Sequence, residues 1–583
     1  MKQRVVALLV AASLLALVSS AKDCSLGGLA GESMFWSRLG FSPDPCRRGE
    51  DGKPVVDATL TPEMAARHRM MQDAGVRVHT SVLFSGWVGP DAYDYSYTDA
   101  TLRHLFTAVP EAKYLPRVKL NPPMDWIKAH PEEVFVYPDG PTDPEAVRAL
   151  VGSPDQARDG GGYVVARSAP GGASVRRPAK IGLQSFASER WLGDADEALR
   201  RLIAHLRASP YADRIVGLHV AWGACGETCM WGRDERRYGD KSRVFARAFR
   251  AWGGTGPVDA ENEAFKRFVD HLNVSIANRL GGTVKALMGR DFPVGIFYGY
   301  MLECHNAAYT GWLGYEDLLK SPNVDFWAGP ISYFDRGAGR PGGWLAPAAS
   351  VNRHKQWVDE IDVRTFRSDP KSGFGRCATA AATKAVLARE MCKSLSTDSL
   401  YWWMDLGYGW YDGPEMAAIV RELEAVARSV RARRHASRAD VLYVVDEDAM
   451  RRAPMDGARF NRRRVSLRAM FHSGMLIDIY RAADLADLPL DRYRAIVSFD
   501  AADARFPART YVPDEARPLP DVAAWRRLFD AAGCRAYAAA PAAVYGDNRF
   551  YAVFPADNPE KFSIFVHAEG EDGTSAAPAA RIP

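Results

Sequence analysis

Two short stretches of the 583-residue chain place carboxylates where a strand gives way to a loop. In 218–231 (Leu-His-Val-Ala-Trp-Gly-Ala-Cys-Gly-Glu-Thr-Cys-Met-Trp), an apolar run enters a glycine-rich turn and delivers Glu227 among aromatics. In 356–365 (Gln-Trp-Val-Asp-Glu-Ile-Asp-Val-Arg-Thr), a second strand ends on Glu360 and Asp362, with Arg364 beside them. Two carboxyl groups facing each other across a cleft are the minimum equipment for cleaving a glycosidic bond. One protonates the leaving oxygen, and the other attacks the anomeric carbon or activates water. Trp222 and Trp231 give Glu227 an apolar neighbourhood that should raise its pKa, as a general acid requires. The Arg364 cation should favour the ionised form of Glu360, as a nucleophile requires. A single Glu after a strand is most often a solvated loop residue; the paired placement is what singles these two out.

The rest of the chain has to bring these two strand ends together. From residue 33 onward, apolar runs of four to eight residues alternate with amphipathic helical stretches, the pattern of βα units around a parallel sheet. Strands are expected at 34–36, 76–83, 113–120, 215–222, 294–298, 324–330, 356–360 and 399–404. The intervening helices are expected near 61–73, 102–108, 194–207, 261–279, 380–394 and 414–427. Thr61 followed by Pro62 is a clear helix start. Residues 137–185, rich in Gly, Pro and Asp, read as a long excursion on one face. Eight such units predict a (β/α)8 barrel over 22–432, in which active sites lie at the C-terminal strand ends. By that rule Asp125, Trp126, Tyr333, Asp362, Trp403 and Asp405 join the two glutamates as candidate substrate-binding residues, and Arg117 on the third strand and Arg364 beside Glu360 are added to them. Trp126, Tyr333 and Trp403 could stack on sugar faces or simply fill the core. Arg117 could bond substrate or pair structurally, and Asp125 and Asp405 could bind sugar hydroxyls or be solvated.

Composition sets outer bounds. An apolar content of 47% with 25% charged residues is that of a globular protein, and a net charge of +4 over this length gives no sign of a nucleic-acid partner. Lys2 and Arg4 precede an apolar run over 5–18 and small residues at 19–21, the pattern of a secretory signal over 1–21. A periplasmic or extracellular location follows, with no membrane attachment after cleavage. Of the eight cysteines, Cys24 and Cys46 are the favoured disulfide pair. Cys225 and Cys229 have a spacing within the broad zinc range, but no matching second pair is visible, so no metal and no cofactor are expected. A basic, apolar-poor linker at 428–438 leads to a second, smaller α/β unit of the doubly wound type over 440–535. Its strands are expected at 441–445, 477–480 and 495–499. The tail, 536–583, offers two strand candidates and then a disordered end.

Several motifs carry a resemblance. Leu120-Asn-Pro-Pro-Met-Asp-Trp126 followed by His130-Pro-Glu132, the run Asp325-Phe-Trp-Ala-Gly-Pro-Ile-Ser-Tyr333, and Glu360 on the seventh strand resemble a clan A glycoside hydrolase. The resemblance is greatest to glycoside hydrolase family 42, the β-galactosidase-type enzymes. It implies a retaining hydrolase of a β-linked glycoside or oligosaccharide, with Glu227 as acid/base and Glu360 as nucleophile. It further implies a flavodoxin-like second domain with a role in assembly into a homo-oligomer, a trimer. Where such enzymes carry Asn immediately before the acid/base, contacting the sugar 2-hydroxyl, this chain has Gly226. That departure keeps a second reading open, a carbohydrate-binding or assembly barrel that has lost its hydrolase activity.

Overall fold

In the computed structural model, side chains are described for residues 26–37, 61–153, 156, 179–233, 236–302, 307–406, 409–431, 437, 439–500, 503–513 and 521–534; the remaining described strands are described in backbone alone. The expected signal segment, Cys24, Cys46 and Cys304 lie outside the described residues.

Eight parallel strands close into a barrel: β1 (Met34–Ser37), β2 (Val78–Phe84), β3 (Lys113–Lys119), β4 (Leu218–Ala221), β5 (Val294–Phe297), β6 (Phe326–Pro330), β7 (Gln356–Ile361) and β8 (Leu400–Asp405). Each strand pairs with its sequence neighbours and β8 returns to β1, with Phe35 opposite Trp403. The helices that follow the strands are α1 (Pro62–Asp73), α2 (Ser96–Ala108), α3 (Glu189–Ala208), α4 (Glu263–Met288), α5 (Tyr315–Lys320), α6 (Ala348–Asn352), α7 (Ala380–Ser396) and α8 (Pro414–Arg431). Thr61 caps α1 by accepting from Met64 N, and Pro62 occupies its first turn, where a missing N–H costs nothing.

Side-chain alternation sets which strand residues can reach the site. On β8 the Tyr401 hydroxyl and the Trp403 indole both donate to Glu424 of α8, at 3.0 and 2.8 Å, so these residues face the helix layer. Trp402, between them, lies 6.2 Å from the His219 ring of β4 and faces the barrel interior. On β7 the Trp357 indole bonds Asp359 on the outer side, which leaves Glu360 on the inner one.

Two expectations needed revision. The helix expected to end near residue 279 runs on to Met288, through Gly281 and Gly282. A Cβ on Gly281 would sit 2.4 Å from the Asn323 carbonyl oxygen. These glycines therefore admit a neighbouring loop rather than end the helix. The excursion after β3 is not structureless: Pro144–Leu150 is helical, and Val134–Val136 pairs antiparallel with Ile181–Gln184.

Beyond the barrel, β9 (Val441–Val445), β10 (Ile477–Arg481), β11 (Ala495–Ser498) and β12 (Thr510–Tyr511) form a parallel sheet in the order β10-β9-β11-β12. That order matches the start of the doubly wound 2-1-3-4-5 arrangement. Helices α9 (Glu447–Arg452) and α10 (Gly457–Phe471) tie this unit to the barrel. Arg451 reaches Asp270 of α4 at 2.7 Å, and Arg468 pairs with Asp335 in the loop after β6. Four antiparallel strands follow, and the last, Ser575–Ile582, occupies a stretch expected to be disordered; it pairs through its backbone with Ser563–Glu569. Among the described residues, no helix is long and apolar enough to cross a membrane.

Candidate active site at the barrel mouth

The turn that leaves β4 is held in an unusual shape. Gly223, Cys225, Gly226 and Thr228 have φ of 78°, 55°, 69° and 54°. Glycine adopts such angles freely, whereas a β-branched residue such as Thr228 is held there at a cost of roughly 1–3 kcal/mol. The surroundings impose the conformation. Asn121, from the Asn-Pro-Pro motif, donates to Gly223 O and accepts from Gly223 N, both at 2.9 Å. Asn273 donates to Thr228 O at 2.9 Å, Trp312 donates to Glu227 O at 3.2 Å, and the Thr228 hydroxyl bonds Phe297 O. A side chain at Gly226 would be strained by its φ and tightly packed: a Cβ would stand 3.2 Å from both Ala221 Cβ and Lys119 Cε. Arg117 of β3 donates to the Gly226 carbonyl, so at this position the chain presents backbone where an Asn side chain was the family expectation.

Glu227 emerges from this turn half-buried. The Tyr300 hydroxyl donates to its Oε2 at 3.2 Å, and Arg233 Nη1 lies 3.4 Å from the same oxygen. The Arg233 guanidinium also sits over the Tyr300 and Trp312 rings. The aromatics bordering Glu227 are thus Tyr300 and Trp312. Trp222 and Trp231, expected in that role, are buried and bonded to Asn273 and to Gln184 O.

Glu360, only 3% exposed, points inward from β7, and its Oε2 has no hydrogen-bond partner among the described residues. Burial pushes its pKa up to about 8. Asp362 and Glu227 add to the rise, while Arg117 and Arg336 oppose it. This reverses the expectation that Arg364 would keep Glu360 ionised, because Arg364 bonds Asp362 instead. Asp362 also takes Arg336 Nη1 at 2.9 Å and is fully enclosed. Tyr333 lies beside Tyr300, hydroxyl to hydroxyl at 3.4 Å. Burial raises both phenols well above the usual tyrosine value; Glu227 and Glu360 contribute at each, and Asp362 at Tyr333. Both are therefore protonated donors between the two glutamates.

Of the residues singled out from sequence, Glu227, Glu360, Arg117, Tyr333, Asp362 and Arg364 converge on this mouth. Trp403 and Asp405 do not. Both face outward, and Asp405 pairs with Arg67 of α1 at 3.0 Å while accepting from Gly409 N and Trp410 N. Trp126 is 1% exposed, with its indole on Asp194 at 2.7 Å and its ring against Trp87, so it has no open face for a sugar. Asp125 is exposed on the short helix after β3 and pairs with Lys128 at 3.1 Å. Sequence reasoning missed Tyr300, Arg233 and Arg336. Tyr300 stands just beyond the end of β5, where the strand-end rule applies equally; Arg233 and Arg336 lie in loops with no local signal.

The arrangement can perform two-carboxylate chemistry, with phenols and guanidinium groups to orient a bound hydroxyl or ring oxygen. Among the described residues, no group of three or more His, Cys, Asp or Glu is placed to hold a metal ion.

No protein-family model and no curated protein matches the chain. Among solved structures, a β-galactosidase from Bacillus circulans sp. alkalophilus is similar at 13% identity and a TM-score of 0.47, over 81% of this chain and 68% of that one. An α-L-fucosidase isoenzyme 2 from Paenibacillus thiaminolyticus is similar at 13% identity and 0.48, over 81% and 61%. The catalytic domain of a β-amylase from Paenibacillus polymyxa is similar at 11% identity and 0.43, over 68% and 99%. Identities this low speak to no more than fold, and the fold rests on the strand pairing described above.

Proposed function

We propose that the chain is a secreted glycoside hydrolase that cleaves a β-linked sugar through Glu227 and Glu360, with retention of configuration. One observation carries the reading. Two glutamates from different strand ends meet at the C-terminal mouth of a (β/α)8 barrel and share one electrostatic cluster bridged by Tyr300 and Tyr333. The export signature at the N-terminus supports action outside the cytoplasm.

Their positions on the barrel favour Glu227 as acid/base and Glu360 as nucleophile. Burial keeps a proton on Glu360 up to about pH 8. That proton has to leave before attack, so the nucleophile role requires Glu360 to ionise in the complex with substrate. The positive charge that develops at the anomeric carbon in the transition state favours the ionised form of Glu360. With Gly226 supplying only backbone, hydroxyl contacts near the cleaved bond fall to Tyr300, Tyr333 and Arg233.

The test is turnover of a panel of aryl β-glycosides by the native chain and by Glu227→Ala and Glu360→Ala. Loss of nearly all hydrolysis in both variants supports the pair. Turnover at the native rate by Glu360→Ala refutes it. Binding without turnover by the native chain would support the second reading, a sugar-binding barrel.

A further inference from the structure

The second α/β unit reaches into the barrel through an arginine that lies between them. Arg451 is buried on α9, and its guanidinium nitrogens go to three different places. Nε donates to Asp270 of α4 at 2.7 Å, Nη1 to Asp448 one turn back at 2.8 Å, and Nη2 to the Leu313 carbonyl in the barrel loop ahead of α5. Asp270, also buried, accepts from Leu313 N at 3.0 Å with its other oxygen. Both backbone polar groups of Leu313 are therefore held by one Arg–Asp pair that spans the two units. Burial pushes the Asp270 carboxyl up, and the Arg451 cation opposes that rise. The cost of desolvating two charges offsets most of their attraction, so such a pair adds little cohesion; what it supplies here is a fixed place for Leu313.

Leu313 adjoins Trp312, which supports Glu227 from both ends of the residue. The buried indole N–H donates to the Glu227 carbonyl at 3.2 Å and lies 3.3 Å from Thr228 Oγ1. Its ring packs 4.8 Å from that of Tyr300, whose hydroxyl donates to Glu227 Oε2, and the Arg233 guanidinium on the same oxygen sits 5.4 Å over the indole. Asn273, one turn along α4 from Asp270, donates to Thr310 O and Gly311 O at 3.0 and 3.1 Å as well as to Thr228 O. The Trp312 loop and the Glu227 turn thus share one anchor on α4, and Arg451 completes it from the other unit.

We propose that Arg451 is a positioning residue for the acid/base: from the second unit it fixes the loop whose Trp312 sets where Glu227 stands, so that the barrel's site is complete only with that unit docked. The inference rests on the glycosidase reading for the role of Glu227. It gives the second unit a part in the chemistry that is separate from any part in assembly.

Leaving groups separate this role from general support of the fold. A phenolate leaves poorly and needs the Glu227 proton on its oxygen as the C–O bond breaks, whereas a dinitrophenolate leaves with little help. Arg451→Lys keeps a cation beside Asp270 but has no second arm for Leu313 O, and Arg451→Gln is the more severe change. For the β-glycoside that the native chain cleaves fastest, Arg451→Lys should lower kcat/KM about 10-fold or more with phenyl as leaving group and less than about 2-fold with dinitrophenyl. Arg267→Met, which removes an exposed ion pair between α4 and α9, should leave both substrates at the native rate. Hydrogen exchange followed by mass spectrometry reads the same coupling without turnover: the amides of 223–229 should exchange faster in both Arg451 variants and at the native rate in Arg267→Met. Equal effects on the two leaving groups, native exchange at 223–229, the same pattern in Arg267→Met, or loss of the folded state in Arg451→Lys would each overturn the role. A native chain that cleaves no glycoside would instead refute the glycosidase reading, and the exchange result would then decide alone whether Arg451 governs the Glu227 turn.

Discussion

Replacing Glu360 by Gln should stabilise the fold, and by an amount that depends on pH. The ordinary carboxyl value of 4.5 is raised to about 8 by burial in the barrel mouth. Below pH 4.5 folded and unfolded chains both hold the proton, and the residue carries no electrostatic penalty. Between 4.5 and about 8 the unfolded chain ionises first, so stability falls as pH rises. Above 8 the full penalty is present, on the order of 5 kcal/mol. Glutamine has no such proton and keeps the size of the side chain. The difference in unfolding free energy, variant minus native, should therefore rise by several kcal/mol from pH 4 to pH 9, most steeply between 5 and 8. Urea unfolding followed by tryptophan fluorescence across that range measures it. A difference that is flat with pH would show that Glu360 is solvated or ion-paired in the folded chain, and the account of its burial would fail.

Three further outcomes are expected. The kcat/KM profile should fall on the alkaline side around pH 8, where the carboxylate pair loses its last proton; undiminished activity at pH 10 would contradict this. Tyr300→Phe removes the hydroxyl that donates to Glu227 and should lower kcat by about 10- to 100-fold with little change in KM, as steady-state kinetics would show. Gly226→Ala places a Cβ at φ +69° against Ala221 and Lys119, and should cost roughly 1–3 kcal/mol in denaturant unfolding with a loss of activity from the displaced Glu227.

The barrel was legible because each parallel strand is a buried apolar run bounded by turn residues, and the two glutamates because each closes such a run. The errors have common physical causes. Trp403 and Asp405 satisfied the strand-end rule, yet side chains alternate across a strand, and on β8 it is Trp402 that faces inward. Arg364 is near Glu360 in sequence but on Asp362 in space, because the turn after β7 bends the chain back on itself, with Asp362 N bonding Glu360 O at 2.9 Å. Which of two nearby carboxylates receives a cation, and how deeply the other is buried, are tertiary facts. Tyr300 obeyed the same strand-end rule as Glu227 and could have been found by it. Arg233 and Arg336 reach the site from loops whose paths no local pattern encodes.

The central claim is the pairing of Glu227 with Glu360 in a double displacement. Incubating the chain with 2-deoxy-2-fluoro β-glycosides bearing a good leaving group, followed by peptide mass spectrometry, tests it most directly. A glycosyl adduct on the peptide containing Glu360, absent from the Glu360→Gln variant, is the predicted result. Hydrolysis of the parent glycosides with no adduct, or an adduct on Glu227, would contradict it.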